Sequence, residues 1–300
     1  MFTHVLVPLD GSKMAEEALP AAAYLARISG ARVTLVHVIE KNAPKAVHSE
    51  RHLTNPEEAQ QYLRKIAEQS FPQELEVEWH VHTSLVSDVA RSIVAHVEEL
   101  HHDLVVMCTH GGGGARDWLF GNIAQQVIGL GQTPVLLIHP EKRHKGEFTI
   151  KRILVPLDGN NEHEQGLPVA MEMAEACQLQ LHLLMVVPTF STLYGEHAAS
   201  GRLLPGATQA VLELAEMGGQ EYLRRHVAGL NQKAIHNTAE VARGDPSRTI
   251  AKVAGKVKAD LIILGTHGKS GMDAFWSGSV PPKVSSHSKV PVLLVPVVES

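Results

Sequence analysis

The 300 residues carry 27 Lys and Arg against 32 Asp and Glu, a net charge of −5, and 44% of them are hydrophobic. That balance implies no general affinity for nucleic acid, while the length leaves room for two domains with a core each. Two cysteines, Cys108 and Cys177, make no disulfide framework; no apolar run reaches the ~18 residues of a membrane span; and Met1 leads almost directly into a strand without a leader segment, so a cytoplasmic location is expected.

In chain order, the first half alternates apolar runs with helical periodicity. Strand Val5–Val7 precedes a helix around Glu16–Ser29, then strand Val33–Ile39. A helix near Glu57–Gln69 leads to strand Leu75–Val81, and helix Asp88–Leu100 to strand Leu104–Met107. Helix Ile123–Leu130 and strand Val135–Ile138 close the half. Pro20 and Pro168 fall inside apparent helices, which predicts a kink or a late helix start.

The second half repeats the first. Val5-Leu-Val-Pro-Leu-Asp-Gly11 recurs from Ile153 to Gly159, 148 residues on (153 − 5 = 148). Asp103-Leu-Val-Val-Met recurs from Asp260 at 157 (260 − 103 = 157), as do Thr109-His-Gly111 and Pro134-Val-Leu-Leu-Ile. The change of offset puts nine extra residues (157 − 148 = 9) in the middle of the second half. The polar stretch Glu141 to Thr149 reads as a linker, giving domains 1–142 and 150–300. Alternating strands and helices predict an α/β protein of two tandem, doubly wound, open parallel five-stranded sheets.

Chemistry concentrates after the fourth strand of the second half. Leu261 to Leu264 is an unbroken apolar run, followed by glycines at 265, 268, 271 and 278. Such a strand is buried on both faces, and glycine amides with a helix start beyond it suit a phosphate. A P-loop is excluded: Gly268-Lys269-Ser270 would need a glycine at 263 or 264, where Ile263 and Leu264 stand. The dinucleotide fingerprint is not matched either. Ligands of these sheets bind beyond the carboxyl ends of the strands, where Pro-Leu-Asp-Gly and the glycine loop converge.

On these residues the sequence resembles the universal stress protein family, its tandem members in particular, with their adenine nucleotide alpha hydrolase-like fold and flavodoxin-like layering. The ATP-binding members carry G-x2-G-x9-G-[ST], and Gly265, Gly268, Gly278 and Ser279 match it. The resemblance implies that Asp158 holds the ribose side and Val186 the adenine through its backbone. It implies that Gly265 leaves space beside the ribose and that Gly268, Gly278 and Ser279 meet the phosphates, with which Mg2+ would travel. Pro156, Leu157, His267 and Val280 complete the expected contacts. Pro281 and Pro282 remove two potential amide donors at the start of the next helix. The first half keeps Asp10, Val38, Gly111 and Gly121, but Cys108 replaces the first glycine and Asn122 the final serine. A degenerate first site is expected, with ATP in the second half only.

Plainer readings stand beside the sharp ones. His110 and His267 invite a catalytic base or merely fix the loop; Cys108 is a redox thiol or a small apolar residue. Asp10 and Asp158 are ribose ligands or helix caps, and Lys269 is a phosphate ligand or a solvated side chain. His80 and His82 alternate on one strand and face one side, but no third ligand stands near them in sequence, so no metal is assigned. The segment between Pro188 and Gly206, with Phe190 and Tyr194, is a lid or a surface excursion. The expected function is an ATP-binding, nucleotide-dependent regulatory or stress-response protein without efficient turnover and with no catalytic residue assigned. Its alternatives are a slow ATPase, for which only Asp273 and His267 are on offer, or a scaffold with both pockets empty. The resemblance also implies pairing through the last strands, Val135–Ile138 and Val292–Val297, in an intramolecular pseudo-dimer that itself leaves room for a homodimer. Neither nucleic acid nor membrane is expected as a partner, and the sequence names no protein partner.

Overall fold

A computed structural model of the chain describes residues 1–41, 46–47, 50–109, 122–140, 147–193, 199, 203–266 and 280–296. They form two compact units, the first holding Met1–Thr149 together with the strand at 292–296, the second holding 150–266 and 280–290.

In the first unit, strands β1 (His4–Pro8) and β2 (Arg32–Glu40) are followed by a two-residue pair, β3 (Ala46–Val47) and β4 (Glu50–Arg51), then by β5 (Val77–Val86), β6 (Leu104–Cys108) and β7 (Val135–Ile138). The sheet runs β5-β2-β1-β6-β7, all parallel. Continuous apolar runs become the inner strands: Val5, Leu6, Leu35, Leu104 and Leu137 are fully buried. Among the described residues β5 pairs only with β2, and it keeps most of its side chains in contact with solvent. That edge position explains why its apolar signal places the strand at 75–81, short of its true end at Val86.

Helix boundaries follow local chemistry. Ser12 caps a short helix, Lys13–Glu16, by accepting from the Ala15 amide, and a separate helix begins at Leu19 with Pro20 in its first turn. The late start is the correct alternative for Pro20. Asn55 and Asp88 cap helices Pro56–Ser70 and Val89–Glu99 in the same manner. Asp103, which heads the repeated Asp-Leu motif, accepts from the Thr3 amide at 2.7 Å and the His4 amide at 2.9 Å.

The second unit repeats this plan. Strands β8 (Arg152–Leu157), β9 (Gln180–Val187), β10 (Asn237–Arg243) and β11 (Leu261–Thr266) are parallel in the order β10-β9-β8-β11. Asp260 accepts from the Lys151 and Arg152 amides at 2.8 and 2.9 Å, the counterpart of Asp103. Pro168 lies in the first turn of helix Gly166–Cys177. The extra length of this half goes largely into one helix, Pro205–Gln232, of 28 residues against 15 in helix Pro56–Ser70. Phe190 sits in a one-turn helix, Phe190–Thr192, and is 41% exposed; Tyr194 lies outside the described residues. The chain's last strand, β12 (Val292–Pro296), lies antiparallel to β7 in the first unit, with Leu293 opposite Leu136. The two strands singled out for pairing do pair.

Candidate functional site

In the second unit β8 and β11 are neighbours, and β9 flanks β8 on its other side. The strand order therefore reverses between β8 and β11, where sheets of this kind open a crevice. Pro156 and Leu157 end β8, and Leu157 is buried. Asp158 follows, and Gly159 turns the chain at φ +86. One carboxylate oxygen of Asp158 accepts from the Asn160 amide at 2.9 Å, and the other meets His163 Nδ1 at 2.5 Å. The carboxylate is thus a cap for its own turn, yet its side chain stays 55% exposed at the crevice rim. Val186 stands one residue past the last β8–β9 pair, Leu157 with Met185.

Gly265 is explained by the protein itself. A Cβ built there would lie 2.4 Å from the carbonyl oxygen of His163, a backbone atom with little freedom to move. The turn after β8 presses onto β11, so glycine is demanded whatever else occupies the crevice. In the first unit, helix Lys13–Glu16 replaces that turn and Cys108 takes the matching position. Val280 opens helix Val280–His287, whose Pro281 and Pro282 are buried in its first turn. His267, Gly268, Gly278 and Ser279 lie outside the described residues, as do His110, Gly111, Gly121, Lys269 and Asp273. Asn122 heads helix Asn122–Leu130.

The first unit holds a cavity of about 180 Å³ at the carboxyl ends of β1, β2 and β6, lined by Asp10, Val38, His52, Met107, Cys108 and Ile123 among others. Asp10 accepts from the Ser12 amide at 2.9 Å and its hydroxyl at 2.6 Å, so it holds its own turn and orients Ser12, which caps the helix. Cys108 is 8% exposed. Burial, followed by the negative charges of Glu17 and Asp10, pushes its thiol far above the ordinary range, so it behaves as a small apolar residue. His52 escapes sequence reading because it lies in an irregular segment. It is buried, neither ring nitrogen has a hydrogen-bond partner, and burial lowers its pKa.

A second feature becomes legible only in three dimensions. Tyr62 donates to Glu16 at 3.3 Å, and Tyr222 donates to Glu164, to which His226 also lies at 3.3 Å. Glu164 stands 148 residues after Glu16 (164 − 16 = 148), so the offset that relates the first strands also relates these carboxylates. Each pair ties the segment after the unit's first strand to the helix preceding its outer strand.

Strand order, crossovers and the repeated motifs define a doubly wound α/β protein built from two copies of one domain. The universal stress protein family model matches residues 1–139 and again 149–296. Over 150 residues the chain is 30% identical to a universal stress protein of Methanocaldococcus jannaschii, covering 50% of this chain and 84% of that protein. Universal stress protein E of Escherichia coli aligns at 23% identity over 98% of this chain and 94% of its own length. The crystal structure of a universal stress protein from Archaeoglobus fulgidus shares the fold, with a TM-score of 0.65 at 17% identity over 98% of this chain and 96% of that one. The chain belongs to the universal stress protein family, whose members are stress-response proteins. Among the described residues no helix is long and apolar enough to cross a membrane.

Proposed function

We propose that the second domain, 150–300, binds ATP at the crevice between β8 and β11, and that the protein acts in the cytoplasm as a nucleotide-dependent regulator. The observation that carries this reading is the position of the motif. Gly265 lies in β11, helix Val280–His287 begins directly after Ser279, and Asp158 stands at the end of the adjacent strand. The exposed carboxylate of Asp158 suits ribose hydroxyls, and Val186 at the open end of β9 suits an adenine edge. The helix start would supply the Val280 amide and a positive dipole end to the phosphates, Pro281 and Pro282 having no N–H to donate. Mg2+ would neutralise the phosphate oxygens as it does for free nucleotide.

The first domain, 1–142, is read as not binding ATP. Its crevice cavity, about 180 Å³, is small beside the 300–1,000 Å³ usual for a small-molecule site, and Cys108 forms part of its wall. Slow or absent turnover is part of this reading. Hydrolysis needs a base beside the attacking water at the γ-phosphate. The described His–carboxylate pair of the crevice, His163 with Asp158, stands on the ribose side of this pose. The test is to denature the purified protein, identify any released nucleotide and follow ATP conversion over hours. Released ATP with negligible conversion supports the reading; steady ADP production favours an enzyme, and neither nucleotide nor binding favours a scaffold.

A further inference from the structure

His80 and His82 lie two residues apart on β5, so their side chains share one face of the sheet. On that face helix Val89–Glu99 brings up a third imidazole, His96. The His96 ring centroid is 4.9 Å from that of His80 and 5.0 Å from that of His82. One nitrogen from each ring lies within 4.8 Å of the other two.

His96 is 7% exposed, and its Nε2 is buried without a hydrogen-bond partner. A buried ring nitrogen with nothing to pair with is costly to keep, and the His96 ring stands beside two further imidazoles. The cluster lies on the edge strand of the first unit's sheet, with His80 exposed and His82 half-buried, so solvent reaches it.

From this geometry we propose that His80, His82 and His96 form a binding site for a divalent transition-metal ion, zinc in the first instance. Neutral imidazole is the ligand for zinc, copper and nickel, and carboxylate-preferring magnesium and calcium are disfavoured. Three histidines leave the fourth tetrahedral position of zinc to water. Zinc–nitrogen bonds of about 2.0–2.1 Å place tetrahedral ligand nitrogens about 3.3 Å apart, so the rings close by about 1 Å around the ion. Binding would tie the edge strand to helix Val89–Glu99 by a link independent of the nucleotide crevice.

Titration calorimetry with zinc chloride on the full-length, untagged, chelator-treated protein tests this. One ion per chain should bind with a submicromolar Kd. His80→Asn and His82→Asn should each weaken binding at least about 100-fold without changing the circular dichroism spectrum. His80 is exposed, so its variant keeps the test valid even if His96→Asn fails to fold. Cobalt(II) in place of zinc should give the visible absorption of a four-coordinate site, lost in both variants. Zinc binding weaker than about 10 μM, or equal affinity in His80→Asn and the parent chain, overturns the proposal, since the other sixteen histidines would then account for it.

Discussion

At the scale of single residues, Gly265 separates two explanations for one glycine. The motif resemblance gives it the task of leaving room for a ribose, whereas the structure gives it the task of accepting the His163 carbonyl at close range. Gly265→Ala should therefore lower the unfolding free energy of nucleotide-free protein by about 1–3 kcal/mol, read by urea denaturation. Unchanged stability without nucleotide would return the residue to a purely ligand-facing role. The loop motif was legible because glycine spacing is written in the sequence. Pressure from His163 was not, since it depends on how the turn after β8 folds back. His96 was equally hidden: it is separated from His82 by fourteen positions (96 − 82 = 14) and a change of element, and only the packing of helix Val89–Glu99 on β5 brings it near.

At the scale of elements, the repeated Asp-Leu motif is a structural clamp. Asp103 and Asp260 each hold the amides at the start of their unit's first strand, joining β1 to β6 and β8 to β11. Charge-assisted bonds to backbone amides persist partly in the face of water, so Asp260→Ala and Asp103→Ala should each cost about 1–3 kcal/mol in urea denaturation. Wild-type stability in both variants would assign the motif elsewhere. Inner strands were legible from continuous apolar runs, because burial on both faces leaves no polar side. Less legible were β5, an edge strand with a solvent-facing pattern, and the break at Glu17–Ala18, where the sequence reads as one helix through Pro20. The nine extra residues of the second half were legible from the change of offset, but not that they fall largely in a 28-residue helix, Pro205–Gln232.

At the scale of the whole molecule, buried histidines set the response to acid. Burial, then the charge of His4, lowers the pKa of His102 to about 4. Burial also lowers His4, His52, His96 and His182. An unfolded histidine titrates near 6.5, so between about 4 and 6.5 the unfolded chain holds more protons than the folded one. Stability is therefore complete above that window and falls as pH drops through it, by about 1.4 kcal/mol per pH unit for His102 alone. Urea midpoints of chelator-treated protein should fall from pH 7.5 to pH 5.5; a flat or rising profile would contradict this.

Calorimetric stoichiometry reads directly which repeat holds the nucleotide. ATP titrated into the nucleotide-free chain should bind at one site, abolished by Gly278→Val and unaffected by Gly121→Val. Two sites per chain, or a single site that survives Gly278→Val and is lost in Gly121→Val, would contradict it.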